Sequence, residues 1–180
     1  MAVVDFMVER VWPVARTVVL SWNDKASEIF ILDLPREELG RILDDIIEMT
    51  DYPEVLRFDG TNLDYGRALT SIMRDQLVRA SKMSTVHSLR GNVAEGSNCY
   101  FYLWVDVEGN RIEVEMVFWN DHCFPPGRSI VNHKKMLGRL LRIAHRVRGG
   151  NPGSKCILSP EYNAEPRELL KGDHREVAIW

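Results

Sequence analysis

Apolar residues recur along this chain at two different periods, and the change of period divides it into elements. Leu39, Ile42, Leu43, Ile46 and Ile47 fall at spacings of three and four, which predicts an amphipathic helix from Pro35 to about Met49. Its start is marked by Asp33-Leu34-Pro35-Arg36-Glu37-Glu38, with proline in the first turn and acids at the positive end of the dipole. Tyr52-Pro53 closes it. Leu69, Ile72, Met73, Gln76, Leu77 and Ala80 predict a second helix over roughly Tyr65 to Lys82, after the turn cluster Asp59-Gly60-Thr61-Asn62. Ile130, His133, Leu137, Leu140, Leu141, Ala144 and Val147 predict a third, from the cap Ser129 to about Val147, with Gly149-Gly150 as its stop.

Elsewhere the pattern is that of strands. Thr17–Trp22 and Glu28–Leu32 read as a hairpin around Asn23-Asp24, and Lys155–Leu158 and Glu176–Trp180 as two strands of the tail. Arg90–Asn98 reads as a polar loop; its glycines lack the spacing and flanking elements of a phosphate cradle. Residues 99–121 form the strongest signal, a hairpin followed by the stiff break Phe124-Pro125-Pro126-Gly127. A two-residue loop at Gly109-Asn110 sets Glu108 opposite Arg111. Val107, Val105, Leu103 and Phe101 then face Ile112, Val114, Met116 and Phe118 on the core side. These elements predict one α+β domain over residues 1–180, a mainly antiparallel sheet with about three amphipathic helices packed on it.

The other face of that hairpin poses the functional question. In the same register it pairs Asp106 with Glu113, Trp104 with Glu115, Tyr102 with Val117 and Tyr100 with Trp119. Acids directly opposite one another are mildly unfavourable, and aromatics beside them make a surface neither buried nor well solvated. Three readings stand open: the chain covers this face itself, a partner docks on it, or the acids hold a metal or do chemistry.

Composition narrows the classes. With 180 residues, 45% hydrophobic and 27% charged, the chain suits one substantial core, and no apolar run is long enough to span a membrane. A net charge of −3 gives the chain no general affinity for polyanions, and the N-terminus lacks a secretory pattern, so a cytoplasmic protein is expected. Cys99, Cys123 and Cys156 are far apart and read as small buried apolar groups rather than bridges or zinc ligands.

Candidate chemistry is incomplete throughout. Asp106, Glu113 and Glu115 are reminiscent of a metal-dependent nuclease, but the next lysines, Lys134 and Lys135, lie off the strand. His122 and Cys123 are adjacent, so on an extended segment they point apart, and a nucleophile with its base would need His87, His133, His145 or His174 brought in by the fold. Arg128 to Arg148 holds seven basic residues and no acid, and Lys135, Arg139, Arg142 and Arg146 share one helix face. That stripe can bind phosphates, or it can be a solvated face cradling the acidic first helix.

The early Thr-Val-Val-Leu-Ser-Trp (residues 17–22), the later Val-Phe-Trp-Asn-Asp (117–121) and the small α+β layout resemble bacterial immunity proteins encoded beside polymorphic or type VI secreted toxins, the nearest being immunity-protein family fifty-two. The resemblance implies a non-catalytic cytoplasmic protein, without cofactor or metal, that binds and blocks one cognate protein toxin, such as a nuclease. The expected contact surface is Tyr100, Tyr102, Trp104, Asp106, Glu113, Glu115, Trp119 and Asp121. The alternative is a nucleic-acid-binding protein or metal-dependent nuclease using the basic 128–148 helix and the acidic hairpin. The charge balance weighs against a nucleic-acid partner.

Overall fold

The computed structural model describes residues 2–20, 26–81, 84–94, 97–160, 166–171 and 178–180. In chain order the elements are α1 (Ala2–Val19), β1 (Ala26–Pro35), a 3-10 turn (Arg36–Glu38), α2 (Leu39–Met49), β2 (Asp51–Phe58), β3 (Thr61–Ala68) and α3 (Ser71–Ala80). Then follow β4 (Thr85–Ala94), β5 (Ser97–Asp106), β6 (Arg111–Trp119), α4 (Asn120–Cys123), α5 (Ile130–Arg148), β7 (Lys155–Pro160), α6 (Pro166–Leu169) and β8 (Ala178–Ile179). The eight strands form one sheet in the order β3-β2-β4-β5-β6-β1-β7-β8, every neighbour antiparallel. The fold is α+β, as the patterning predicts.

The core lies between the sheet and the four longer helices. Cys99, Phe101, Leu103 and Val105 of β5 and Ile112, Val114, Met116 and Phe118 of β6 all point into it, between 0% and 3% exposed. They meet Ile42 and Ile46 of α2, Leu77 of α3, Leu137, Leu141 and Ala144 of α5, and Val11, Ala15 and Val18 of α1 in one continuous cluster. This inner face is the one read from the sequence. Among the described residues no helix is long and apolar enough to cross a membrane.

Four expectations are corrected. The hairpin of 17–22 with 28–32 does not form: Thr17–Val19 end α1, while Glu28–Leu32 lie inside β1, paired with β6 and β7. Residues 21–25 lie outside the described residues. Val8, Val11, Trp12, Ala15, Val18 and Val19 are buried at helical spacing, so Thr17–Val19 belong to a longer 3.6-residue pattern than the strand reading considered. The second helix is shorter than predicted. It starts at Ser71 behind the cap Thr70, whose Oγ1 accepts the Met73 N–H at 3.3 Å, and the preceding residues are β3.

Arg90–Ala94 are strand, not loop. Gly91 pairs with Cys99, and a Cβ there would lie 2.6 Å from the Thr50 Cβ, so the glycine admits a neighbour and does not make a turn. Lastly, the β5–β6 register moves by two. Asp106 faces Arg111, Val105 faces Ile112, Leu103 faces Val114 and Phe101 faces Met116, across a connection of residues 107–110. The Asp106 carboxylate accepts the Gly109 N–H at 3.0 Å and Asn110 takes φ 49°, which stabilises the longer turn. A slip of two leaves every side chain on its predicted face.

α2 and α5 are joined by a polar seam. Arg146 Nε donates to the buried Asp45 at 2.7 Å and its Nη2 to Glu48, while Arg41 donates to Asp45 and to the Arg146 and Val147 carbonyls at the end of α5. The basic helix therefore does cradle the acidic one, but through Arg146 alone of the four stripe residues.

Candidate functional site: the outward face of β4, β5 and β6

The outward face is assembled by ladders of cross-strand neighbours. Val86, Trp104 and Glu113 form one row, Ser88, Tyr102, Glu115 and Phe30 the next, and Arg90, Tyr100, Val117 and Glu28 a third. The sheet thus brings Tyr100, Tyr102, Trp104, Asp106, Glu113, Glu115 and Trp119 onto one surface, while Asp121 follows on α4. Trp104 is 48% exposed and Trp119 39%; the tyrosines between them are half-buried.

The chain covers part of this face itself. Leu169 of α6 and Leu170 just after it lie over Phe30 and Leu32 of β1 and Ile157 of β7, a second small apolar cluster on the outer side. Arg167 of α6 reaches Glu113 at 2.5 Å and Asp33, at the β1 bulge, at 2.7 Å. These carboxylates hold the Arg167 guanidinium above its ordinary pKa, Asp33 more than Glu113. Among the described residues the cover stops short of the aromatics. A cleft of about 550 Å³ remains open between Ser84, Val86, Trp104, Asp106, Glu113 and Arg167.

The predicted pairings of Asp106 with Glu113 and of Trp104 with Glu115 are replaced in the shifted register. Asp106 lies 3.2 Å from Arg111, Trp104 stands opposite Glu113, and Tyr102 opposite Glu115. Trp104 Nε1 still reaches diagonally to donate to Glu115 at 3.3 Å. The like-charge pair disappears, and each strand acid gains a donor. Asp121 accepts the His122 N–H at 2.9 Å near the surface. Among the described residues no three His, Cys, Asp or Glu side chains are grouped to hold a metal ion.

Arg111 and Arg167 are the ionic neighbours of this face that the sequence reading did not pair with its acids. Arg111 was legible once the turn length was known. Arg167 carries no local signal, because α6 meets Glu113 only through the tertiary fold.

The remaining nucleophile candidates are structural. Cys99, Cys123 and Cys156 are free and buried, and burial pushes the Cys123 and Cys156 thiols up to about 12. Ser81 and His87 sit 2.8 Å apart and mimic a catalytic pair, but their hydrogen bonds run the wrong way. Ser81 Oγ donates to the Leu77 carbonyl at 2.8 Å, so it accepts from His87 Nε2, and His87 Nδ1 accepts the Asp59 N–H at 3.4 Å. Both are at most 1% exposed. This histidine braces α3 against β4.

The chain matches no protein-family model, no curated protein and no solved structure. What defines it is an antiparallel sheet with its long helices on one side and a half-open aromatic face on the other.

Proposed function

We propose that this is a cytoplasmic immunity protein that binds a cognate bacterial protein toxin through the outward face of β4–β6 and neutralises it by contact, without catalysis of its own. The observation that carries the reading is Trp104, half exposed at the centre of a sheet face flanked by Tyr102, Glu113 and Val86. A large rigid aromatic with tyrosines around it supplies contact area at low entropic cost, and such residues dominate protein interfaces. The arrangement of the acids supports a binding role over a metal-dependent nuclease, because Asp106 and Glu113 are each engaged by an arginine. It also shifts weight within the interface. Asp106 and Glu113 carry arginine counter-ions, so the aromatics are the anchors of the toxin contact.

The test is calorimetric titration with the protein encoded by the neighbouring toxin gene. Trp104→Ala should weaken binding by about 2 kcal/mol, roughly 30-fold, with an unchanged circular dichroism spectrum. Wild-type affinity in both Trp104→Ala and Trp119→Ala variants would remove this face from consideration.

A further inference from the structure

The helical side of the molecule carries a second surface of different chemistry. Arg128, Lys135, Arg139 and Arg142 are exposed, and among the described residues none of them has a carboxylate within ion-pair distance. Their neighbours on the same helix are spoken for: Lys134 holds Glu9 at 2.7 Å, and Arg146 holds Asp45 and Glu48. Three of the uncompensated cations are thus consecutive along one edge of α5, at spacings of four and three. Arg128, Lys135 and Arg139 line a cleft of about 670 Å³ between α5, α4 and the start of β5. Ser97 and Asn132 add polar groups, and no Asp or Glu is among the described residues of its wall.

We propose that this cleft and the Arg142 ridge beyond it bind the phosphodiester backbone of a nucleic-acid strand. The positive groups do not converge on a point, as they would for a single phosphate. Lys135 to Arg142 extends about 10 Å along the helix axis at 1.5 Å per residue, which suits a linear polyanion. The cleft contains no Trp, Tyr or Phe among its described residues, so it lacks the large desolvated anchor of a protein interface, and His122 is the exposed ring of its described wall. Recognition is therefore by charge, independent of sequence. The net charge of −3 conceals this surface, because many of the chain's acids lie elsewhere, as on α2, while Asp5 and Glu9 of α1 line the neighbouring groove beside Lys135, Arg139 and Arg142.

The experiment is fluorescence anisotropy of a labelled oligothymidylate over a salt series, with the full chain. Wild type should bind at low salt with a log–log salt slope of about −3, as expected for four single-strand phosphate contacts. A Lys135→Glu, Arg139→Glu double variant, changed only at exposed positions, should bind roughly tenfold or more weakly with a shallower slope. Trp104→Ala should bind the oligonucleotide as wild type does. No binding at low salt overturns the proposal, as does equal binding by the double variant. Tighter binding of polyglutamate than of the oligonucleotide at equal charge concentration also overturns it, in favour of an acidic protein surface.

Discussion

Arg167 and Glu113, far apart in sequence, are joined at 2.5 Å across the outer face of the sheet, so the tail of the chain supplies a counter-ion to a strand acid in the proposed toxin interface. The arginine side chain is 40% exposed and the glutamate 26%, which places the pair in a well-screened setting. Arg167→Ala should therefore change stability by no more than about 1 kcal/mol in chemical denaturation. It should also accelerate association with a basic partner at low salt, because Glu113 loses its internal cation. Unchanged or slower association in stopped-flow mixing would show that the bridge does not set the charge of the face.

Leu103 is fully buried on β5, opposite Val114. Leu103→Ala should cost about 2–5 kcal/mol in a urea titration, the ordinary range for an internal leucine. A loss of only a few tenths would contradict the assignment of the inner face.

Gly91 is predicted to resist even the smallest side chain. With the Thr50 Oγ1 2.5 Å from the site of an added Cβ, Gly91→Ala should destabilise by about 1–3 kcal/mol through overpacking. Combining it with Thr50→Ala should recover part of the loss, since that removes the Oγ1 at 2.5 Å and the methyl at 3.0 Å, against the smaller loss of the Oγ1 bond to the Ile46 carbonyl.

The elements differ in how plainly the sequence marks them. α2 and α5 declared themselves because their apolar stripes are long and their ends are marked by Pro35, Ser129 and Gly149. α1 was masked by Pro13 in its interior and by the β-branched run Thr17-Val18-Val19, local signals that packing against α5 overrides. β3 is exposed at nearly every position, so no alternation of burial could betray it. The aromatic face was readable because a shift of two residues preserves side-chain parity; its cover by α6 was not, because nothing in Arg167 itself announces Glu113.

The histidine under α3 makes stability pH-dependent. Burial lowers the His87 pKa below its ordinary 6.5, against a smaller opposing effect of Asp59. The unfolded chain therefore takes up the proton first as pH falls. Stability is fully present above about pH 6.5 and is lost as pH drops through the lower native value. Denaturation midpoints between pH 7.5 and pH 5 should fall more steeply for wild type than for His87→Gln; parallel curves would place the sensitivity elsewhere.

Thiol chemistry gives a further check. At pH 8 an aromatic disulfide reagent should label Cys99, Cys123 and Cys156 very slowly in the folded protein and rapidly in denaturant, since each is buried and its thiolate disfavoured. Fast native labelling would mean local opening around α4 or β7.

The position of β1 has a consequence for biosynthesis. Phe30 pairs with Glu115 on one side and Ile157 on the other, and Ile29, Ile31 and Leu32 are buried to 0%. This apolar strand leaves the ribosome well before either of its hydrogen-bonding partners. Until β6 and β7 arrive it is an unpaired hydrophobic segment, open to pairing with other chains. The sheet cannot be completed from the N-terminus onward. Its two halves must instead be held open until the strand that joins them can be clasped from both sides, a route with high contact order and slow closure.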